Sequence, residues 1–255
     1  MREKHYRPKK YEELKFTDDF LFGKILYGSP KICREMLELL LDVEIEKVEA
    51  VETQKSLKSA YAKRGVRLDV YVKDGKGSVY DIEMQTVNTY DLDRRSEQYL
   101  AAMLLDSSRE GEDFKDFANC WVIFIFDFDY YRDGKYVDYP VLEGRRVFLQ
   151  DPTMMLKDRG RTLYINTHGN LKELPEEKRC FFEYIRTGDP GKSRLAREID
   201  EKVQQARQNE HWGNEYMTLE ERVRILMEMR QRRRERQRTR TDSRVKSKIA
   251  QDFTT

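Results

Sequence analysis

Cysteine and histidine are scarce in this chain. Its 255 residues include three cysteines (Cys33, Cys120 and Cys180) and three histidines (His5, His168 and His211), all widely spaced. An odd number of scattered cysteines fits reduced, mostly buried thiols rather than a disulfide frame. So few histidines leave neither a Cys/His zinc site nor a histidine-based triad easy to assemble, and any chemistry falls to carboxylates. A glycine-rich phosphate loop after a strand is also missing, which disfavours a kinase or a dinucleotide-binding enzyme. Long hydrophobic runs are absent: the longest, such as Trp121 to Phe126, have six or seven residues, whereas a membrane-spanning helix needs roughly 20. The opening MREKHYRPKKYEEL is charged throughout and has no apolar stretch of the secretory kind. The expectation is a cytoplasmic protein with no membrane partner.

What the chain has in plenty is charge. Charged residues make up 38% of it, with 49 basic against 47 acidic for a net +2. That balance conceals an asymmetry, because Arg224 to Lys248 holds 11 basic and 3 acidic residues, a local +8 that leaves −6 for the remainder. A basic tail on a mildly acidic body suits either an electrostatic contact to a polyanion or a solvated helix. The Arg-rich stretch Arg230 to Arg240 is the part that would track a DNA backbone.

The first half alternates helical and strand-like patterns. Phe16, Phe20, Phe22, Ile25 and Leu26 recur at helical spacing behind Thr17, a capping residue, and a second helix starts near Pro30 and runs through Leu41. Residues 45–51 read as a strand. Val66, Leu68, Val70 and Val72 alternate with Arg67, Asp69 and Tyr71, and a glycine-bearing turn leads into a second alternating strand over 79–85. Residues 91–105 return to helix. The run 120–126 is nearly all apolar, the mark of a central strand covered on both faces. Shorter strands are expected at 147–149 and 163–166, then helices from Pro175 on. The order implies an α/β fold, a mixed sheet of about five strands with helices on both faces. A body ending near residue 190 is followed by a helical, basic extension over 191–255, partly disordered, with helices at 193–208 and 217–238.

The two strands around the glycine turn carry the most information. With a three-residue loop, Gly75-Lys76-Gly77, and Gly77 in the left-handed conformation, Asp74 pairs with Ser78 and Asp69 stands opposite Glu83. The period of two then puts Asp81 and Gln85 on the same face. Two carboxylates directly across an antiparallel pair repel each other. A divalent cation is the simplest remedy, and Mg²⁺ is commonly held by one or two carboxylates while it keeps waters for a substrate phosphate. The competing reading is a solvated acidic face, which a register shift of one residue would produce.

These residues carry a resemblance. Arg67-Leu68-Asp69-Val70 followed by Asp81-Ile82-Glu83-Met84-Gln85 resembles the active-site hairpin of the PD-(D/E)XK nuclease superfamily, of restriction-endonuclease-like fold. More narrowly, the chain is similar to the recombination-promoting nuclease and transposase family. Asp19 to Phe22 matches its opening Asp-x-x-Phe, Arg95 and Tyr99 its following helix, and Tyr164 to Asn166 its late Tyr-Ile-Asn strand. The resemblance spans roughly residues 16–186. It implies a Mg²⁺-dependent DNA endonuclease, with Mn²⁺ as an alternative ion, in recombination or mobile-element biology. Asp69 and Glu83 would be metal ligands, with the Met84 backbone carbonyl as a further donor. Gln85 stands where the superfamily has Lys, and Lys24, Lys63 or Arg95 are the candidates to restore a cation. Asp19 reads equally as another acid of the site or as a helix N-terminal acid favoured by the macrodipole. Arg95, Tyr99 and Lys24 are the candidate DNA contacts, together with Tyr130, Tyr131 and Tyr136 as stacking residues. His168 reads as a turn residue rather than a general base. The alternatives are a catalytically weak or inactive module of the same fold that binds DNA, and an interaction subunit that forms a homo-oligomer.

Overall fold

The computed structural model describes residues 9–57, 65–128, 130, 138–226 and 229. The helices α1 (Asp19–Gly28) and α2 (Pro30–Leu41) come first, followed by the strands β1 (Val48–Leu57), β2 (Val66–Asp74) and β3 (Val79–Gln85). Helix α3 (Leu92–Ser107) leads into β4 (Cys120–Phe126), and β5 (Val141–Gly144), β6 (Val147–Phe148), β7 (Asp151–Met155) and β8 (Gly160–Asn166) follow. Helices α4 (Glu176–Thr187) and α5 (Arg194–Arg207) come next, and residues 210–226 are helical.

The main sheet has six strands in the order β1-β2-β3-β4-β8-β5, while β6 and β7 pair by themselves. The β1, β2 and β3 strands form an antiparallel meander, β3, β4 and β8 run parallel, and β5 returns antiparallel at the edge. This is the mixed, helix-flanked α/β sheet of a restriction-endonuclease-like fold, with one main-sheet strand that the sequence pattern does not suggest, while the strand expected at 147–149 pairs with β7 outside that sheet. The extra strand, β5, is a four-residue edge with half of its residues exposed, so it carries no hydrophobic signature.

Two boundaries differ from expectation for local reasons. The first helix begins at Asp19 with Asp18, not Thr17, as its N-cap, and the Asp18 carboxylate accepts the Lys15 backbone N–H at 2.8 Å. The first strand runs from Val48 to Leu57 rather than over 45–51. Gln54 in it has φ +55°, which breaks the period of two and puts Lys55 on the same side as Glu52, its partner at 3.0 Å. A strand that changes face midway has no single alternation to read.

The β2–β3 turn follows the expected geometry. Gly77 has φ +84°, and the Asp74 N–H donates to the Ser78 carbonyl at 3.0 Å. The buried Asp74 carboxylate accepts from the backbone N–H of Lys76 and Ser78 and from the Tyr80 hydroxyl, at 2.8–2.9 Å. The ladder pairs Val70 with Ile82, Tyr71 with Asp81, Val72 with Tyr80 and Lys73 with Val79. Helix α3 crosses the face of the sheet that carries Tyr71, Val122, Phe124, Phe126 and Tyr164, and Leu92 and Met103 seal it. Helix α1 lies against β1 and β2, and α2 against β1; Thr53 of β1 packs over Gly23 of α1.

The chain divides into two units, one of residues 14–206 and another of residues 1–13 with 207–255. In the second, the Tyr11 and Tyr216 rings lie 5.9 Å apart and the Tyr216 hydroxyl donates to the Lys9 carbonyl at 3.0 Å. Lys63, Tyr131, Tyr136 and the Arg-rich stretch 230–240 lie outside the described residues. No described helix is long and apolar enough to cross a membrane.

Candidate active site

The carboxylates of β2 and β3 meet at the carboxyl end of β3, under the first turns of α3. Strand β3 is flanked on both sides in the sheet, so its side chains are enclosed: Asp81 is 0% and Glu83 1% exposed. The Asp69 backbone N–H donates to Glu83 Oε1 at 3.0 Å, which ties the acid of β3 to the backbone beside the acid of β2. The other oxygen, Oε2, lies 2.5 Å from Arg95 Nη2 and 3.3 Å from the Gln85 amide nitrogen. Arg95 Nη1 also donates to Gln85 Oε1 at 2.9 Å, and its Nε and Nη2 lie 3.3 and 3.1 Å from the Tyr99 hydroxyl. Arg95 and Tyr99 are four residues apart, so both reach down from one face of α3. The guanidinium thus occupies the place beside Gln85 where the expected pattern lacks its lysine.

Asp81 is different. Neither of its side-chain oxygens receives an N–H donor or a hydroxyl among the described residues, and its polar neighbour is the Glu83 carboxyl. An ionised carboxylate in that position is costly. Burial, reinforced by the charges of Glu83 and Asp69, raises its pKa well above the ordinary carboxylate range. Burial and the neighbouring Asp69 likewise push Glu83 up to about 8, against the opposing pull of Arg95. Burial and the charge of Asp19 push Asp69 up to about 6. Asp19 is exposed in the first turn of α1, and its charge acts on both Asp69 and Glu83.

The structure therefore brings together Asp69, Glu83, Gln85, Arg95 and Tyr99, with Asp19 close by. The Met84 side chain is 2% exposed and alternates to the other face of the sheet, which leaves only its backbone as a donor. Lys24 stands on α1 with its Nζ 5.6 Å from the Phe20 ring centre. Tyr130 is 8% exposed and packs between Phe126 and Tyr164, so it is a core residue and not a platform for bases. His168 is a turn residue: its backbone N–H donates to Asn166 Oδ1 at 3.0 Å, and its Nε2 lies 2.7 Å from Asp127 Oδ1. Burial pushes the Cys33 thiol up to about 12 and the Cys120 thiol up to about 11, which keeps these two protonated.

Two contributors escaped the sequence reading. Gln54 Nε2 lies 3.5 Å from Asp69 Oδ1, and nothing in the local sequence marks it, because it belongs to the half of β1 beyond the irregularity. Asp93 accepts the Tyr164 hydroxyl at 2.8 Å, which anchors the start of α3 over β8; the late Tyr-Ile-Asn strand was visible, but its partner was not.

The donor set is chemically uniform. Asp19, Asp69 and Glu83 offer hard oxygens, which a Mg²⁺ or Mn²⁺ ion matches, and the buried Asp81, whose carboxyl is held protonated, stands behind them. Among the described residues no three Asp, Glu, His or Cys side chains are yet grouped as a ligand set. Both Glu83 oxygens are engaged, one by the Asp69 N–H and the other by Arg95.

A family profile described as PD-(D/E)XK nuclease family transposase matches residues 16–251. No curated protein and no solved structure matches the chain.

Proposed function

The chain belongs to the PD-(D/E)XK nuclease family transposases, and from that premise we propose that it is a divalent-metal-dependent DNA endonuclease that serves recombination or a mobile element. The observation that supports this most is the convergence of Asp69 and Glu83 beside a fully buried Asp81 that receives no N–H or hydroxyl donor among the described residues, with the cation of Arg95 over them. A structural ion pair needs one carboxylate per guanidinium; here three buried or half-buried acids surround one arginine, and any beyond the first that ionise need a further cation.

Asp69, Glu83 and the Met84 carbonyl would hold the ion, with Asp19 on the outer side. When bound, a Mg²⁺ or Mn²⁺ ion supplies Lewis acidity to the scissile phosphate and acidifies a water. Glu83 and Asp69 must ionise for this, and their raised pKa values mean that ion binding displaces protons from their carboxyl oxygens. Gln85 orients the attacking water through its amide. A neutral amide brings no charge, so Arg95 supplies the positive charge at the phosphate, and Tyr99 aims the guanidinium. Its release from Glu83 and transfer to a phosphate oxygen keep it charge-paired throughout.

The test is cleavage of supercoiled and linear DNA by the purified protein in Mg²⁺ or Mn²⁺, beside Glu83→Ala. Loss of cleavage in the variant is expected, and cleavage that survives it overturns the assignment. The second reading, a DNA-binding module without catalysis, draws on Gln85 and on the engagement of both Glu83 oxygens. DNA binding with no cleavage in either metal would establish it instead.

A further inference from the structure

At the other end of α3 lies a second polar site. A cavity of about 490 Å³ opens between the β2–β3 turn, the carboxyl end of α3 and the segment leading into β4. It is separated from Arg95 by the length of the helix, about 18 Å for the twelve residues to Ser107. A space of this size suits a small organic ligand.

Four cations surround it: Lys73 and Lys76 from the hairpin, Arg109 after α3, and Arg159 before β8. Among the described residues, the side chains of Lys73, Lys76 and Arg109 make no ion pair. Arg159 is held in place, with Nη1 3.2 Å from Asn119 Oδ1 and Nη2 donating to the Lys115 carbonyl. Of the three acids in the lining, Asp106 is paired with Lys55 at 3.4 Å, and Glu112 accepts the Arg109 backbone N–H at 2.9 Å. The uncommitted charge is thus mainly positive, with Asp116 as an acceptor beside it. Phe117, whose ring lies 5.2 Å from that of the exposed Phe114, adds an aromatic surface to the lining.

We infer that this cavity binds a nucleoside monophosphate, with the phosphate among Lys73, Lys76 and Arg109 and the base against Phe117. An apolar ligand is disfavoured by the polar lining. A continuous nucleic-acid strand, which has several phosphates to place, is disfavoured because the carboxylates of Glu112 and Asp116 stand in the same lining. One phosphate with a base bearing hydrogen-bond donors satisfies both signs of charge at once. The source is either a free nucleotide or the 5′-phosphorylated end of a DNA strand. The inference does not depend on hydrolysis at the carboxylate cluster.

The experiment is calorimetric titration of the full chain in EDTA with each of the four deoxynucleoside 5′-monophosphates, the matching nucleosides, and inorganic phosphate. Saturable binding of at least one monophosphate is expected, with the nucleosides and phosphate alone at least about tenfold weaker. Lys73→Ala and Arg109→Ala are each expected to weaken it about tenfold while melting like the parent, and Glu83→Ala is expected to leave it in place. A short 5′-phosphorylated oligonucleotide that displaces the monophosphate, where its dephosphorylated form does not, identifies a strand end as the source. Failure of both oligonucleotides to displace it identifies the free nucleotide. Absence of saturable binding, equal affinity for phosphate alone, or loss of binding in Glu83→Ala but not in Lys73→Ala overturns the inference.

Discussion

The guanidinium of Arg95 and the carboxylate of Glu83 stand 2.5 Å apart, one reaching down from α3 and the other enclosed in β3. Glu83 is 1% exposed and the Arg95 side chain 23%, so this is a partly desolvated pair rather than a surface one. Its value lies less in the attraction than in the cost of leaving Glu83 alone.

Arg95→Met should therefore destabilise the metal-free protein by about 3 kcal/mol at about pH 9.5, above the Glu83 pKa, and by less at about pH 6, where the carboxyl is protonated, read from urea unfolding in EDTA. Added Mg²⁺ or Mn²⁺ is expected to restore most of the loss, because it replaces the missing counter-charge. A variant as stable as the parent in EDTA would mean that Glu83 is neutralised by other groups.

Acidity provides a second measurement. Glu83 is raised from its ordinary 4.5 to about 8 in the folded chain. The folded state then holds a proton that the unfolded state releases. Its stabilising contribution is complete below pH 4.5 and is gone once the pH has passed about 8. Melting temperature in EDTA should fall across that window, and the fall should be smaller in Glu83→Gln, which cannot ionise. Parallel curves for the two proteins would contradict the raised value.

The contact of Arg95 Nη1 with Gln85 Oε1 at 2.9 Å predicts a non-additive pair. Gln85→Lys puts a second cation against the guanidinium and should lower DNA cleavage at least about tenfold rather than raise it. Combined with Arg95→Gln, the lysine has Glu83 to itself, and cleavage should recover relative to either single variant. Recovery is read as kcat/KM in a double-mutant cycle.

A purely structural prediction concerns Gly169, after β8. A Cβ there would sit 2.6 Å from the Pro140 nitrogen and 2.8 Å from the Tyr139 carbonyl carbon, both backbone atoms that cannot step aside. Gly169→Ala should cost about 2 kcal/mol, measured by thermal unfolding, since it pries apart the segment where the Asn166 N–H donates to the Pro140 carbonyl at 2.9 Å.

The hairpin shows what local sequence can specify. Gly77 admits the left-handed turn, Asp74 has three donors within reach, and every ladder pair from Lys73–Val79 to Val70–Ile82 follows from those few residues. The enclosed strand β4 was equally plain from its unbroken apolar run. Strand β5 and the second half of β1 were not, the one because it is short and half-exposed, the other because Gln54 leaves the β region and reverses the alternation.

The sequence by itself determined that Asp81, Glu83 and Gln85 share a face of β3, because a period of two is a local constraint. Asp69 lies beyond the last ladder pair, Val70–Ile82, where Leu68 and Tyr71 join one core cluster and break the expected alternation, and it meets Glu83 through its backbone N–H. Only the tertiary structure decided which cation meets them. Lys24, Lys63 and Arg95 were equivalent as letters, and the choice depends on how α3 lies across β3 and β4, where Arg95 and Tyr99 descend onto Glu83 and Gln85. That placement is set by burying Leu92 and Met103 against Phe124 and Phe126, contacts between residues far apart in the chain, and no local pattern encodes them.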